Sequence, residues 1–395
     1  MANMCTEVAD PESLAELVRQ SLTDSVPLVD YGRVHEGVGH PPPSVHTRFC
    51  QTIAAGGDGI IEHYTRDLTV RVSAGATVRQ VNEALRPTHQ FLPLDADEDL
   101  SIGEVLMHDV YGPLRAGYGS GRDLLLGLRY IDGLGRDIHV GGRTVKNVAG
   151  YDVGRLMVGS LGELGIVYEV TLRTYAVPEE VRVVTVALTD PDTLSRNITN
   201  LLLTDASPTG LSLHGDASGW RAIFRYCNTH GGCVVQQADL ERRLTELAGD
   251  TARVESVQTL TPEADETART AERAWRRQAD LLVKVVTPPA LTGSVAALLR
   301  EGGWRIDALP VHGCIFVGGE GNAADALRLD RTINETIDTH GPLGGRGFRV
   351  WYNRLADADL IAPFAPPQSD YALLCRIKSA MDPHNIFNPG RYLRG

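Results

Sequence analysis

The sequence lacks any segment that would place the chain in or across a membrane. Its 395 residues contain no run of the roughly 20 apolar residues that a spanning helix requires. The N-terminal residues carry neither the cationic start nor the apolar stretch of a secretion signal. We therefore expect a soluble, cytoplasmic protein.

Runs of basic residues are also missing. Lys and Arg number 38 against 50 Asp and Glu, which gives a formal net charge of −12 at pH 7. Nucleic acids and anionic membrane surfaces attract proteins of the opposite charge, so this balance disfavours both as partners.

Cysteine is scarce and irregularly spaced. The six cysteines lack the rhythm of a disulfide framework and are typical of reduced cytosolic thiols: Cys5, Cys50, Cys227, Cys233, Cys314 and Cys375. Cys227, His230 and Cys233 have C-x2-H-x2-C spacing, but a structural zinc site needs four ligands and the sequence offers no fourth. We interpret this segment as a turn and predict no metal site. A cysteine set for an iron–sulfur cluster is absent too, so electrons leaving this chain would need another subunit.

A G-x-G-x-x-G motif between a strand and a helix is not found either, which disfavours a nicotinamide-dependent dehydrogenase. Glycine itself is abundant, with 41 residues, and it recurs through GGRTVKNVAGYDVGRLMVGSLGELGIVYEVTLRTY, residues 141–175. Interior glycine costs about 1 kcal/mol in a helix, so this stretch predicts loops around a short helix.

A strand is predicted after these glycines. Ile166, Tyr168, Val170 and Leu172 recur with the period of a half-buried strand. A loop, a short helix and a strand in this order let backbone N–H groups approach an anionic ligand, and a dinucleotide is one natural occupant. Tight turns without a ligand are the alternative for glycine-rich loops in general.

Two long motifs in this region resemble a known flavoprotein family. KNVAGYD (residues 146–152) and RLMVGSLGELGIVYEVTL (residues 155–172) are similar to the FAD domain of the vanillyl-alcohol oxidase, or PCMH-type, flavoproteins. Within that superfamily they resemble the E-subunit family of bacterial glycolate oxidases. The resemblance continues through residues 101–135 and returns in MDPHNIFNPGR, residues 381–391.

This resemblance implies the fold class and the order of domains. The implied class is α+β, with a two-part PCMH-type FAD-binding domain followed by an α+β cap domain. We expect the FAD-binding domain at residues 1–178 and the cap or substrate domain at residues 179–372. A C-terminal tail, residues 373–395, is expected to return to the flavin region.

FAD is the implied cofactor, and we expect it to bind noncovalently. We interpret His35 as a solvated loop residue rather than as the histidine that holds flavin covalently in some members of the superfamily. Gly162 and Gly165 are expected where the backbone meets the nucleotide. The residues at positions that match the family's cofactor-binding motifs are Gly32, Gly103, Gly112, Gly119, Ser120, Asp123, Lys146, Asn147, Gly150, Tyr151, Asp152, Gly162, Glu163, Gly165, Ile166 and Asn388.

Both phosphate loops depart from the family pattern. Bulky or charged side chains stand where the family has small residues, namely Arg33, Val34 and His35 in the first loop and Glu104, His108 and Asp109 in the second. Bulk and negative charge disfavour the close approach of a pyrophosphate. A second hypothesis therefore stays open, a flavin-free structural subunit that keeps the fold and the docking surfaces.

The resemblance further implies a reaction and partners. Such a subunit oxidises small 2-hydroxy acids such as glycolate, in a complex with a second FAD-containing subunit and an iron–sulfur subunit, and any membrane association runs through those partners. Arg346 and Arg349 are candidates for binding the substrate carboxylate, because guanidinium suits bidentate contact, and His312 is a candidate base. A surface side chain without a functional contact is the alternative for each.

Local patterns predict the remaining elements. Asp10 before Pro11 predicts the start of a helix, and Thr77 with Gln80 predicts a capping box. Strands at residues 126–131 and 136–140 are predicted to form a hairpin. Beyond residue 180 we expect an antiparallel sheet covered by helices, with strands at 181–188, 220–226, 281–286, 304–309 and 314–317 and helices at 239–247, 262–278, 291–300 and 323–339.

Overall fold

The computed structural model describes residues 5–8, 10–30, 48–52, 59–142, 152–340, 348–353, 364 and 370–393. The strands, in chain order, are β1 (Cys5–Val8), β2 (Leu28–Asp30), β3 (Arg48–Thr52), β4 (Ile60–Tyr64), β5 (Thr69–Ser73), β6 (Gln90–Phe91), β7 (Leu125–Ile131), β8 (Asp137–Gly141), β9 (Ile166–Arg173), β10 (Tyr175–Ala176), β11 (Glu180–Leu188), β12 (Gly210–Asp216), β13 (Gly219–Asn228), β14 (Ala252–Leu260), β15 (Leu281–Val286), β16 (Arg305–Leu309), β17 (Cys314–Gly319) and β18 (Phe348–Asn353).

The helices, in chain order, are α1 (Pro11–Asp24), α2 (Val78–Leu85), α3 (Ile102–Met107), α4 (Arg115–Tyr118), α5 (Gly121–Leu124), α6 (Val153–Met157), α7 (Pro191–Arg196), α8 (Ile198–Leu202), α9 (His230–Ala248), α10 (Pro262–Arg273), α11 (Trp275–Gln278), α12 (Thr292–Glu301), α13 (Ala323–His340) and α14 (Tyr371–Met381). Among the described residues, no helix has the length and apolar character to span a membrane.

The chain divides into two compact units. Unit 1 comprises Met1–Gly112, Gly119–Val177 and Pro367–Gly395, and unit 2 comprises Pro113–Tyr118 and Pro178–Pro366. The C-terminal segment therefore packs with the N-terminal part of the chain.

Unit 1 contains a parallel sheet of three strands in the order β1-β3-β2 and an antiparallel sheet of five in the order β4-β5-β9-β7-β8. The predicted hairpin is confirmed as β7–β8, and Asp132 closes its turn by accepting hydrogen bonds from the backbone N–H groups of Leu134 and Arg136. The predicted caps are confirmed as well: Asp10 caps α1, and Thr77 with Gln80 forms the capping box of α2.

The strand that follows the glycines is β9, and the prediction that it is half-buried is wrong. The central strand β9 is buried along most of its length, and a register irregularity with β7 lies opposite its start. Ile166 packs in one apolar cluster, whereas Val170 and Leu172 pack in another. A β-bulge shifts the alternation of side chains by one residue, which is why one strand supplies both clusters.

Unit 2 is built on an antiparallel sheet of eight strands in the order β14-β11-β13-β12-β16-β17-β15-β18. Side chains from one face, including Phe224, Leu213, Ile306 and Val317, form an apolar core with residues of α7, α8, α9, α12 and α13. This arrangement confirms the predicted helix-covered sheet. Three of its strands, β12, β14 and β18, were not predicted from the sequence.

Two helices of unit 2 differ from their predicted bounds. Helix α9 begins at His230 rather than at residue 239, because the Thr229 side chain caps its first turn by accepting from the N–H of Gly232. The predicted helix at 262–278 is divided into α10 and α11. The C-x2-H-x2-C segment spans the end of β13 and the start of α9, so it is a strand-to-helix junction. No group of three potential metal ligands occurs in the described part of the chain.

Candidate functional site

Several of the predicted site residues lie outside the described residues: Gly32, Lys146, Asn147, Gly150, Tyr151 and Arg346. Arg349 lies in β18, where its backbone pairs with Val285 of β15. The structure does not describe its side chain. Asp152 caps α6, with its side chain accepting from the N–H of Arg155 at 3.2 Å.

Two of the predicted cofactor-binding segments meet in unit 1. The N–H of Gly159 donates to the carbonyl of Leu106 at 2.9 Å, and the N–H of Leu161 donates to the carbonyl of Met107 at 2.9 Å. The loop after α6 is thereby held against the C-terminal end of α3. The structure thus brings together segments that lie far apart in the sequence.

Asp109 lies at this junction and has a polar atom without a hydrogen-bond partner in the described structure. It follows α3 in a left-handed conformation, with φ of 48°, and it lies beside Gly159, whose added Cβ would stand 3.6 Å from the Cβ of Asp109. Its Oδ1 atom is buried and has no hydrogen-bond partner within the described structure. A buried acceptor of this kind is costly unless a donor reaches it. FAD carries such donors in its ribityl hydroxyl groups and its ring N–H, so the junction fits the cofactor.

The glycines of the second loop are used for packing within the protein. An added Cβ at Gly103 would stand 3.1 Å from the carbonyl oxygen of Ala74, and one at Gly112 would collide with the carboxylate of Asp95. Gly119 has φ of 86°. Gly103 and Gly112 therefore contact protein atoms closely, and the positive φ of Gly119 favours glycine whether or not a ligand is bound.

Ser120 and Asp123 form the capping box of α5. The Asp123 carboxylate accepts from the Ser120 N–H at 2.8 Å and from the Ser120 hydroxyl at 3.0 Å. Because the acidic side chain is turned toward this N-terminus, its charge is compensated locally.

Gly165 also packs against protein atoms. An added Cβ there would stand 2.8 Å from the ring of Tyr130 and 2.9 Å from the carbonyl oxygen of Ile131. Gly162 has φ of 71°, a conformation that favours glycine. Ile166 is buried in the core and lies beyond these turns.

Glu163 binds the C-terminal tail. Its side chain is 1% exposed, and Oε1 accepts hydrogen bonds from the N–H groups of Tyr392 at 3.1 Å and Leu393 at 3.0 Å. Burial raises the pKa of Glu163 to about 7, against the opposing effects of these N–H groups and of the Lys378 and Arg391 charges.

A buried lysine completes this attachment. The Nζ of Lys378, on α14, donates to the carbonyls of Glu163 at 2.7 Å and Phe387 at 2.8 Å and to Asp382 at 2.5 Å. Asn388 donates its side-chain N–H to the carbonyl of Leu161 at 2.8 Å. Glu163 and Asn388 therefore join the tail to the loop that carries Gly162 and Gly165. Lys378 was not among the predicted site residues, although its i, i+4 spacing to Asp382 of the MDPHN motif was a usable signal.

In unit 2, His312 ends a short 3-10 turn, Pro310–His312, that connects β16 to β17, and it is partly exposed. The strands and helix α10 of this unit also carry a group of mostly buried charges that was not predicted from the sequence. Arg225, which is fully buried, binds Asp265 at 2.7 Å and also contacts Glu272. On the neighbouring strands, His214 of β12 contacts Asp307 of β16.

Comparison with known proteins relates unit 1 to flavoproteins. A family model described as FAD binding domain matches residues 3–154. The Escherichia coli protein named glycolate oxidase subunit GlcE is 32% identical over 178 residues, which is 44% of this chain and 50% of that protein. A mitochondrial D-lactate dehydrogenase [cytochrome] of Arabidopsis thaliana is 29% identical over 42% of this chain and 29% of its own length. This chain therefore spans half or less of the length of either protein.

A third relative extends over most of the chain. D-2-hydroxyglutarate dehydrogenase of Xanthomonas citri pv. viticola is 25% identical over 380 residues, which is 82% of this chain and 75% of that protein. Among solved structures, chitooligosaccharide oxidase superposes with a TM-score of 0.67 at 14% identity, covering 96% of this chain and 89% of its own. These findings confirm the predicted PCMH-type α+β fold and the resemblance to the glycolate oxidase E subunit, and the matched family model indicates FAD as the cofactor.

Proposed function

We propose that this chain is an FAD-linked oxidoreductase subunit that oxidises a 2-hydroxy acid to the corresponding 2-oxo acid. The supporting observation is the chemistry that three relatives have in common. Glycolate, D-lactate and D-2-hydroxyglutarate, in the names of those relatives, each place a carbinol carbon next to a carboxylate. The third relative is similar along 82% of this chain, so its likeness is not limited to the FAD-binding domain.

We propose that the junction of the loops in unit 1 holds the cofactor. The Asp109 carboxylate would accept a hydrogen bond from an FAD hydroxyl or ring N–H, since its Oδ1 is buried and unused in the described structure. The turn at Gly159 to Gly162 would present backbone to the cofactor. FAD, when bound, supplies a two-electron acceptor. Arg346 and Arg349 remain our proposed carboxylate-binding residues.

We propose that the chain works in a complex with a second FAD-containing subunit and an iron–sulfur subunit. One supporting observation is that two relatives are named as subunits of glycolate oxidase, GlcE and GlcD. The second is that the sequence has six scattered cysteines and no set typical of a cluster site. The rival proposal, a flavin-free structural subunit, is favoured by the bulky and acidic residues in both phosphate loops.

The absorption spectrum of the purified chain distinguishes these proposals. We expect flavin bands, and we expect acid precipitation to release the yellow cofactor into the supernatant because it is bound noncovalently. Colourless protein that cannot be reconstituted with FAD would support the flavin-free subunit instead. Flavin that stayed in the pellet would indicate a covalent bond, with His35 as its candidate.

Turnover then tests the subunit assignment. We expect glycolate-dependent reduction of a dye to be weak with the purified chain and to rise on co-expression with partner subunits. Rapid dye reduction by the single chain, lost on Arg346→Ala or Arg349→Ala, would make it a self-sufficient enzyme.

A further inference from the structure

The turn that follows α6 in unit 1 contains a leucine in an unfavourable backbone conformation. Leu161 has φ of 54°, in the left-handed region, and it stands between Gly159 with φ of 78° and Gly162 with φ of 71°. Glycine adopts this region freely, whereas the Cβ of a leucine comes too close to the following carbonyl oxygen. A leucine keeps such a conformation where neighbouring contacts hold it there. The contacts of Leu161 therefore decide the shape of this turn.

Two hydrogen bonds hold the backbone of Leu161. Its N–H donates to the carbonyl of Met107, at the end of α3, at 2.9 Å. Its carbonyl accepts from the side-chain N–H of Asn388, which lies in the C-terminal tail 227 positions away in the sequence, at 2.8 Å. The turn is thus held by α3 on its N–H and by the tail on its carbonyl.

The backbone of Asn388 is itself fixed in place. The residue is 3% exposed, and its φ of 41° is also left-handed, a conformation in which asparagine is enriched. Its N–H donates to the carbonyl of Leu28 on β2 at 3.1 Å. The side chain therefore reaches the carbonyl of Leu161 from an anchored position.

Further contacts bind the tail to the residue just after this turn. The backbone N–H groups of Tyr392 and Leu393 donate to the carboxyl group of Glu163, and Nζ of Lys378 donates to the carbonyls of Glu163 and Phe387. Glu163 and Lys378 are both buried, so solvent does not replace these contacts while the tail stays in place. The tail is therefore bound to this segment at more than one point.

The same turn adjoins the group that we propose for the cofactor. An added Cβ at Gly159 would stand 3.6 Å from the Cβ of Asp109, whose buried Oδ1 has no hydrogen-bond partner within the described structure. Asp109, like Leu161, has a left-handed backbone, with φ of 48°. Two residues other than glycine thus have this conformation at one junction. Strain of this kind is typical of binding sites that are shaped before the ligand arrives.

We infer that Asn388 is a positioning residue for the cofactor, which holds Leu161 in its left-handed conformation and so keeps the turn at residues 159–162 in the shape that receives FAD. The tail then acts on the cofactor through the backbone of this turn. Such a role needs no direct contact between Asn388 and FAD. The inference rests on the proposed function, because it takes FAD to occupy the junction beside Asp109.

Asn388→Gly tests this role, because it removes the side-chain donor and still permits the left-handed backbone. We expect the Kd for FAD, measured by titrating the flavin-free full-length chain, to rise about tenfold, since the turn then has its binding shape less often. Asn385→Gly is the matched control. Asn385 lies in the same tail and has φ of 51°, but its Oδ1 has no hydrogen-bond partner among the described residues. We expect the control to keep the wild-type Kd.

Leu161→Gly tests the strain itself. Glycine adopts the left-handed conformation without the clash, so the turn should depend less on the side chain of Asn388. In the Leu161→Gly background we expect Asn388→Gly to raise the Kd for FAD by about twofold or less. An equal rise in both backgrounds would contradict the inference, because Asn388 would then act independently of the conformation of Leu161.

Hydrogen exchange of the backbone N–H of Leu161 provides a readout in the absence of cofactor. In the flavin-free chain we expect Asn388→Gly to speed this exchange at least about tenfold. The wild-type chain covers the case in which the variant fails to fold: without FAD, its exchange should already lie within about threefold of the rate in the loaded protein.

Two results would overturn the inference and leave the proposed function standing. One is a wild-type turn that becomes protected from exchange only when FAD is added, and the other is Asn388→Gly protein with the wild-type Kd for FAD. Wild-type protein that cannot be loaded with FAD would overturn the proposed function and this inference with it.

Discussion

Replacing Glu163 by glutamine should make the stability of unit 1 less dependent on pH. The wild-type carboxyl group is 1% exposed and accepts two backbone N–H groups from the C-terminal tail. Glutamine has the same shape, and its amide oxygen can accept both of these hydrogen bonds. What the substitution removes is the negative charge that the wild-type group acquires as it ionises.

The size and sign of the effect follow from the pKa of Glu163, which burial raises from 4.5 to about 7. The folded state binds the proton of the Glu163 carboxyl group more tightly than the unfolded state does. The contribution of this group to the free energy of unfolding is therefore fully present below pH 4.5 and is lost as the pH rises through 7. A difference of this size corresponds to about 3 kcal/mol at 1.36 kcal/mol per pKa unit. We therefore expect wild type and Glu163→Gln to be similar in stability at pH 4.5, and the variant to be the more stable at pH 8 by up to that amount.

The measurement is urea unfolding between pH 4.5 and 8. Hydrogen-exchange mass spectrometry on peptides from residues 160–175 and 386–393 monitors the unfolding of unit 1. Tryptophan fluorescence provides the reference for unit 2, where all four tryptophans, Trp220, Trp275, Trp304 and Trp351, are found. Glu169→Gln is the control, because Glu169 is also buried but binds Arg71 at 3.2 Å, and it should leave protection of the tail unchanged. Parallel loss of stability in wild type and Glu163→Gln across this range would refute the argument from burial.

Two further substitutions test the packing of unit 1. Lys378→Met removes the cation bound to the buried Asp382, and we expect the free energy of unfolding, measured by urea titration, to fall by about 3–5 kcal/mol. Adding Asp382→Asn should recover part of this loss, and a fully additive double variant would contradict the ion-pair explanation. Gly165→Val places a branched side chain against Tyr130 and should lower stability by about 1–3 kcal/mol, with flavin content falling in step. Asp109→Ala should lower flavin content without moving the urea midpoint, and equal losses in both variants would contradict the distinction between packing and cofactor contact.

The parts of the fold that the sequence predicts are those whose cause lies within a few residues. Asp10 caps α1 and Thr77 caps α2, because a capping side chain reaches only three residues along the chain. The turn between β7 and β8 is similarly local, since Asp132 binds the N–H groups of its own turn. The burial of β9 was predicted less well, because its bulge depends on the strand beside it.

The residues that organise the candidate sites depend instead on partners that lie far away in the sequence. Glu163 and Leu393 are separated by 230 positions, and no local pattern marks the glutamate of GSLGELG as the ligand of a distant backbone N–H. His214 meets Asp307 only because β12 pairs with β16, and β12 itself was not predicted, since GLSLHGD carries glycine at its first and sixth positions. Glycine is depleted in strands, so residue propensities do not predict a strand at β12. The carboxylate that His214 contacts is identified only once the register of β12 and β16 is known. His312, by contrast, lies in the short turn between β16 and β17 and drew attention from the sequence without any knowledge of its neighbours.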